Sequence, residues 1–197
     1  MYDYYVILDF EATCDQRAFP SPQEIIEFPA VIIDAKTNTV ISEIQIYVKP
    51  KHHPKLTTFC TELTGITQEV VNKGVDIKTA IKTFNKWLTQ NGLIWSLTKF
   101  VIVTCGNWDL QIMYQRQCKI ENIKITSHFK RWINIKDEFK NFYRKYPDGL
   151  KGMMTYLKLR WIGRHHSGLD DSKNIGQIWR RMISDGYKPT KKSVHTL

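Results

Sequence analysis

Residues 6–14 read VILDFEATC, and the fold turns on how that stretch is read. Tyr4-Tyr5-Val6-Ile7-Leu8 is aromatic and β-branched, the composition of a strand buried on both faces. The run then ends on two carboxylates, Asp9 and Glu11, separated by Phe10. Side chains alternate along a strand, so the two acids point the same way with Cα atoms about 7 Å apart, and Phe10 points into the packing. Two anions side by side at the end of an apolar strand are unfavourable unless a cation lies between them. A solvated strand end is the ordinary explanation of an isolated Asp-x-Glu, so the rest of the chain has to decide.

Composition bounds the answer. A chain of 197 residues, 42% hydrophobic and 24% charged, is one ordinary globular domain. We expect that domain over residues 1–187, with a loose basic tail over 188–197. No apolar run approaches the length of a membrane span. The first strand begins almost at once, which leaves no room for a signal peptide, so an intracellular protein of cytoplasm or nucleus is expected. Cys14, Cys60, Cys105 and Cys118 show no CxxC pairing, so reduced thiols without disulfides are expected. A net charge of +10 suits a polyanionic partner, and a monomer is expected.

The order of elements is α/β. Residues 25–50 read as two strands around the turn Lys36-Thr37-Asn38-Thr39, giving an antiparallel meander with the first strand. CTELTGIT (60–67) is a short helical turn. DIKTAIKTFNKWLTQNG (76–92) is an amphipathic helix with Ile77, Ile81, Phe84 and Leu88 on one stripe. KFVIVTCGN (99–107) is a buried strand running into the helix WDLQIMYQRQC (108–118).

That second strand-to-helix junction repeats the first puzzle. Asn107 suits a helix cap, and Asp109 falls in the first turn, where an acid ordinarily just complements the dipole. Yet Asp109 shares a face with Ile112 and Met113, which points it toward the sheet. A third cluster is RHHSGLDDSKNIGQIWRRM (164–182). Asp171 lies on the apolar stripe of Ile175, Ile178 and Met182. Asp170 lies with Asn174, Gln177 and Arg181 on the wet face, where it reads as the cap of a helix over 170–184. A histidine in a loop is usually a surface residue, but His165 and His166 stand just before the fourth inward acid.

Four inward carboxylates and a histidine suit hydrolysis at phosphorus. Two Mg²⁺ or Mn²⁺ ions about 4 Å apart take oxygen ligands, with Asp9 between them. One activates a water, the other stabilises the leaving 3′ oxygen, and a histidine takes the water's proton. Neither a GxSxG elbow nor a Cys beside a His suggests a covalent nucleophile.

DFEATC, EIIEFPAV, FCTELTGIT, TCGNWDL, RWINIK and HHSGLDDSKNI resemble the Eri-type 3′–5′ exoribonucleases, a branch of the DEDDh (DnaQ-like) exonucleases. The resemblance runs from about Tyr4 to Asp185. It implies an RNase H-like α/β fold, a five-stranded mixed sheet flanked by helices. Asp9 and Glu11 match the family's first motif, Asp109 the second and Asp171 the third. His166 matches the general base. Some relatives carry an N-terminal SAP module selective for a histone-mRNA stem-loop, and that selectivity is not expected to carry over. His165 stands where relatives often have proline; a spectator is expected there, with a secondary base or a phosphate contact as the alternatives.

Trp108, oddly placed for a core residue at a helix start, suits a platform for the terminal base. Stacking contributes about 1–3 kcal/mol per base and ignores base identity. Leu63 and Ile66 are expected as the opposite wall, with ordinary core packing an equal alternative. The backbone at Phe10, Glu11, Ala12 and Thr13, with His166, is expected to meet the terminal sugar and phosphate of a substrate with a free 3′-OH. Between Phe129 and Lys151, lysines and arginines alternate with aromatics, part core and part phosphate track. The expected activity is a metal-dependent 3′–5′ exoribonuclease that releases 5′-mononucleotides. The same chemistry on DNA is the alternative. A non-catalytic RNA-binding module predicts a lost acid or base, and none is lost.

Overall fold

A computed structural model describes residues 2–18, 20–94, 97–146 and 148–197. Its centre is the strand that the opening stretch implies, β1 (Tyr4–Leu8). Strand β3 (Ile25–Asp34) pairs antiparallel with β1 on one side and with β4 (Thr39–Tyr47) on the other, forming the meander. The turn between β3 and β4 is held by Asp34, whose Oδ1 accepts the N–H groups of Lys36 and Thr37.

Strand β1 stops at Leu8 opposite Ala30, and β2 (Glu11–Ala12) resumes the same register with Glu11 opposite Glu27. That register sets Pro29 against Asp9. Proline has no N–H to donate, so the ladder opens where the first acid sits. β5 (Phe100–Thr104) and β6 (Arg131–Asn134) extend the sheet in parallel from β1, and β7 (Val194–Thr196) closes it antiparallel to β6.

Among the described residues the mixed sheet has seven strands where five were expected. β2 continues β1 beyond the break, and β7 comes from the tail expected to be loose. An open β6 edge is a row of unpaired backbone groups, and the tail satisfies it. His195 stacks on Trp132 with rings 5.6 Å apart, and Ser193 Oγ donates to Glu138 at 2.9 Å.

Strand alternation sorts the core into two layers. Val6 and Leu8 face α3 (Ile77–Gln90), where the expected stripe of Ile77, Ile81, Phe84 and Leu88 is buried. Tyr5 and Ile7 face α5 (Ile135–Tyr143), α6 (Gly149–Tyr156) and α7 (Gly168–Ser184), packing with Phe139, Met153, Ile175, Ile178 and Met182. The two short helices α1 (Thr58–Thr64) and α2 (Gln68–Lys73) cover a smaller cluster of Cys14, Ile26, Cys60, Ile66 and Val71. This is the RNase H-like arrangement. Among the described residues no helix is long and apolar enough to cross a membrane.

Candidate active site

The acids of the opening stretch meet the acid of the last helix. Asp9, Glu11 and Asp171 each bring a carboxylate oxygen within 4.8 Å of the others. Three elements impose this: the break after β1, the short β2, and the first turn of α7. The helix comes very close to the break. A Cβ on Gly168 would lie 2.6 Å from the Asp9 carbonyl and 2.9 Å from Pro29 Cγ, so only glycine fits.

Asp109 lines the same cleft from the other junction. The segment Trp108–Tyr114 is a π-helical turn that runs into α4 (Gln115–Ile120). Asn107 occupies the cap position, as expected, but its side chain makes no cap bond: Asn107 Oδ1 instead accepts Trp132 Nε1 at 3.0 Å. Asp109 Oδ1 accepts the Phe10 N–H at 2.9 Å, which ties the helix start to the break in β1.

The cluster is costly as it stands. Burial, then the Asp109, Glu11, Asp171 and Glu27 charges, hold the Asp9 carboxyl well above the usual carboxylate range. Burial, with Glu27, Asp171 and Asp109 behind it, pushes Glu11 up to about 9. Burial pushes Asp171 to about 7 and Asp109 to about 6, each against hydrogen bonds and a lysine that pull down, Lys151 and Lys136 respectively. Asp171 Oδ1 is buried and makes no hydrogen bond among the described residues. Hard oxygen donors, mutual repulsion and an orphaned buried oxygen are what a divalent cation would resolve, so the residues fit one.

His166 sits at φ +63°, a left-handed backbone unusual for a non-glycine residue, and its N–H donates to Asp171 Oδ2 at 2.8 Å. Burial, then Lys151 and Arg164, lower the His166 pKa, so a neutral ring faces the cleft near neutrality. His165 lies flat against Trp161, 5.1 Å between ring centres and 1° from parallel. Burial, then His166 and Lys151, hold its pKa down at about 4.

The expected cap role of Asp170 is corrected. Helix α7 begins at Gly168, two residues before Asp170, and Asp170 Oδ2 accepts the Arg164 N–H at 2.8 Å. The "wet" face is covered there, because Asn174 is fully buried and bonds both the N–H and the carbonyl of Ile162. Ser167, at the cap position, makes no side-chain cap bond. Glu27 reaches across from β3 instead, accepting Gly168 N–H at 2.9 Å and Leu169 N–H at 3.1 Å. Sequence reading missed Glu27, though a lone charge inside IIEFPAVII was a legible signal.

The cleft measures ≈ 380 Å³. Trp108, 36% exposed, and Leu63 line it. Phe10, Glu11 and Ala12 line it too, while the Phe10 ring packs against Phe28. Ile66 does not reach the cleft: it is 4% exposed and packs with Cys60 and Val71. Thr13 also turns away, its Oγ1 accepting the Glu24 N–H. From the basic segment, Lys136 and Leu150 line the cleft, while Trp132 and Phe139 are core.

Comparison with known proteins gives this site a context. The exonuclease family model (RNase_T) matches residues 6–179. ERI1 exoribonuclease 3 of Homo sapiens is 41% identical over 194 residues, covering 97% of this chain and 57% of the relative. The solved nuclease domain of 3′hExo, a DEDDh family member bound to rAMP, is 37% identical, with a TM-score of 0.89 and 94% of each chain covered. A solved 3′-exonuclease with 3′-end specific recognition of histone mRNA stem-loop is 34% identical, with a TM-score of 0.90 over 100% of this chain and 91% of that one.

A seven-stranded sheet with acids gathered at its central break therefore has a family: the chain belongs to the exonucleases. Within them it is an Eri-type member of the DEDDh branch, a family that uses divalent metal ions. The chain spans 57% of the length of the mammalian ERI1 exoribonuclease 3 relatives.

Proposed function

We propose that the chain removes nucleotides one at a time from the 3′ end of RNA. It hydrolyses the last phosphodiester to release a 5′-mononucleotide and uses two Mg²⁺ or Mn²⁺ ions. The observation that carries this reading is the convergence of the Asp9, Glu11 and Asp171 carboxylates within 4.8 Å. They lie beside His166 and Asp109, in a cleft walled by Trp108 and Leu63.

Asp9, Glu11, Asp109 and Asp171 would hold the ions. When bound, the ions supply Lewis-acid activation of water and charge stabilisation at the leaving 3′ oxygen. The chain's own part is to orient and to move a proton. His166, neutral near pH 7, accepts the attacking water's proton. Its N–H bond to Asp171 fixes the backbone from which the ring projects. Trp108 stacks on the terminal base without reading its identity, Leu63 closes the other side, and the Phe10–Ala12 backbone meets the terminal sugar.

The test is digestion of matched RNA and DNA oligomers, single-stranded and hairpin, with Mg²⁺ or with chelator. RNA should shorten from a free 3′-OH, a bulky 3′ block should stop it, and a 5′ block should not. Hydrolysis that survives chelation, or cleavage of circular RNA, would overturn the reading. Equal digestion of DNA would widen the substrate class.

A further inference from the structure

Beside the carboxylate cluster lies a second group of ligand atoms with different chemistry. His165, His166 and Asp171 each offer one donor atom, all within 4.8 Å of one another. His165 Nδ1 is 3.8 Å from Asp171 Oδ2. Ligand atoms around a tetrahedral zinc, each about 2.0–2.1 Å from the ion, lie roughly 3.3 Å apart, so small side-chain rotations complete the set. Two unsatisfied atoms point to a missing partner. His165 Nδ1 and Asp171 Oδ1 are both buried and make no hydrogen bond among the described residues, and Asp171 is only 3% exposed. The His165 ring is held in place: it stacks on Trp161 at 5.1 Å between ring centres and meets the His166 ring at 3.9 Å, tilted by 54°.

Donor type separates the two groups. Asp9, Glu11 and Asp171 supply only oxygen and suit Mg²⁺ or Mn²⁺, whereas two imidazole nitrogens and a carboxylate suit Zn²⁺, which outcompetes the harder ions at nitrogen. We propose that His165, His166 and Asp171 form a zinc site, and that zinc captured there switches off hydrolysis. The switch follows from shared residues: a zinc ligated by His166 and Asp171 takes the proton acceptor and one carboxylate away from the reaction. His165 lines the same cleft; as the spectator of hydrolysis that the sequence leads us to expect, it would serve this site alone.

Zinc capture is tested by titrating the metal-free chain with ZnCl₂ against a chromophoric zinc indicator, for wild type, His165→Gln, His165→Ala and Cys60→Ser. The last control removes the Cys14–Cys60 thiol pair, the competing soft site. One zinc should bind per chain, at least tenfold more weakly in both His165 variants and unchanged in Cys60→Ser. Co²⁺ as a spectroscopic probe should give a visible absorption band that His165→Gln lacks. In Mg²⁺ assays His165→Gln should digest RNA like wild type, while the zinc concentration for half-inhibition rises at least tenfold.

Zinc affinity unchanged in both His165 variants, or lost in Cys60→Ser alone, overturns the site. A folded His165→Gln that is inactive with Mg²⁺ also overturns it, since His165 would then belong to the reaction. The inhibition arm rests on the exonuclease reading and the binding arm does not. Zinc bound through His165 in a chain that digests no RNA supports the site and refutes that reading instead.

Discussion

Glu27 offers the sharpest test of how the site is built, because its work is done across the fold. It is 1% exposed in β3, and its carboxylate accepts from Gln45 Nε2 at 2.8 Å, Gly168 N–H at 2.9 Å and Leu169 N–H at 3.1 Å. Burial pushes its carboxyl up, and these three bonds hold it down against that. Glu27→Ala strips the start of α7 of the only side-chain acceptor for those two amides among the described residues. Each buried N–H left unpaired costs about 1–3 kcal/mol, and the lost charge at a helix N-terminus roughly 0.3–1 kcal/mol more. Removing an anion beside Glu11 gives part of this back, because Glu27 is the largest charge acting on that acid. The net expectation is about 2–4 kcal/mol of lost stability, from two amides at the lower half of that range less the relieved repulsion. Urea unfolding of the metal-free chain at pH 7 measures it, with Glu27→Gln, which keeps one acceptor oxygen, falling between. Activity should drop too, since the same helix turn carries Asp171. An alanine variant within about 0.5 kcal/mol of wild type, less than a typical single hydrogen bond, would refute the cross-fold cap.

Other perturbations separate chemistry from stability. Asp9→Asn should abolish turnover, yet melt no lower than wild type without metal, because burial and four neighbouring acids already disfavour its charge; differential scanning fluorimetry alongside an RNA assay reads both. Carboxyls raised in the fold stabilise it at low pH and lose that stabilisation as they ionise. With Asp109 near 6, Asp171 near 7 and Glu11 near 9 against ordinary values near 4, metal-free stability should therefore fall as pH climbs from about 4 to 9, most steeply below about 6, and Mg²⁺ should restore it; a flat pH–Tm profile would count against the cluster. Trp108→Ala should lower kcat/KM by about 1–3 kcal/mol, alike for all four terminal bases. Asp171→Asn should be inactive, while Asp170→Asn, which keeps an acceptor for the Arg164 N–H, should retain most activity; steady-state rates on one RNA compare them.

What sequence disclosed follows from how local the signal was. Strand period placed Asp9 and Glu11 together, and helix period sent Asp171 inward with Ile175, Ile178 and Met182, because both periods are set by neighbouring backbone. Asp170 was misread as a cap because the true start of α7 is set by Glu27, whose bonds to Gly168 and Leu169 span 141 and 142 residues. The lone charge in IIEFPAVII marks Glu27 as unusual, but no local pattern reports which helix start it meets. Leu63 and Ile66 looked equivalent, but Gly65 at φ +77° ends α1 between them and sends Ile66 inward. Strand β7 has three residues, too few for a period, and exists because β6 presents an open edge.

The same features that make this site expensive also explain why metal binding and folding should be coupled in it. The apo cluster combines raised carboxyls, an orphaned Asp171 oxygen and a left-handed His166, all within one helix turn of each other or of the β1 break. Despite a net charge of +10, burial and acidic neighbours are the largest influences on Glu11, while Lys136 and Lys151 pull down Asp109 and Asp171 only in part. A full complement of basic side chains would relax the acids and leave little for a cation to gain. Leaving the acids under-compensated transfers that energy to metal binding, since whatever binds only the folded state stabilises it by RT ln(1 + [L]/Kd). The opening in the β1–β3 ladder at Pro29 is where this begins: it frees Asp9 from the sheet and lets α7 approach to a distance only Gly168 permits.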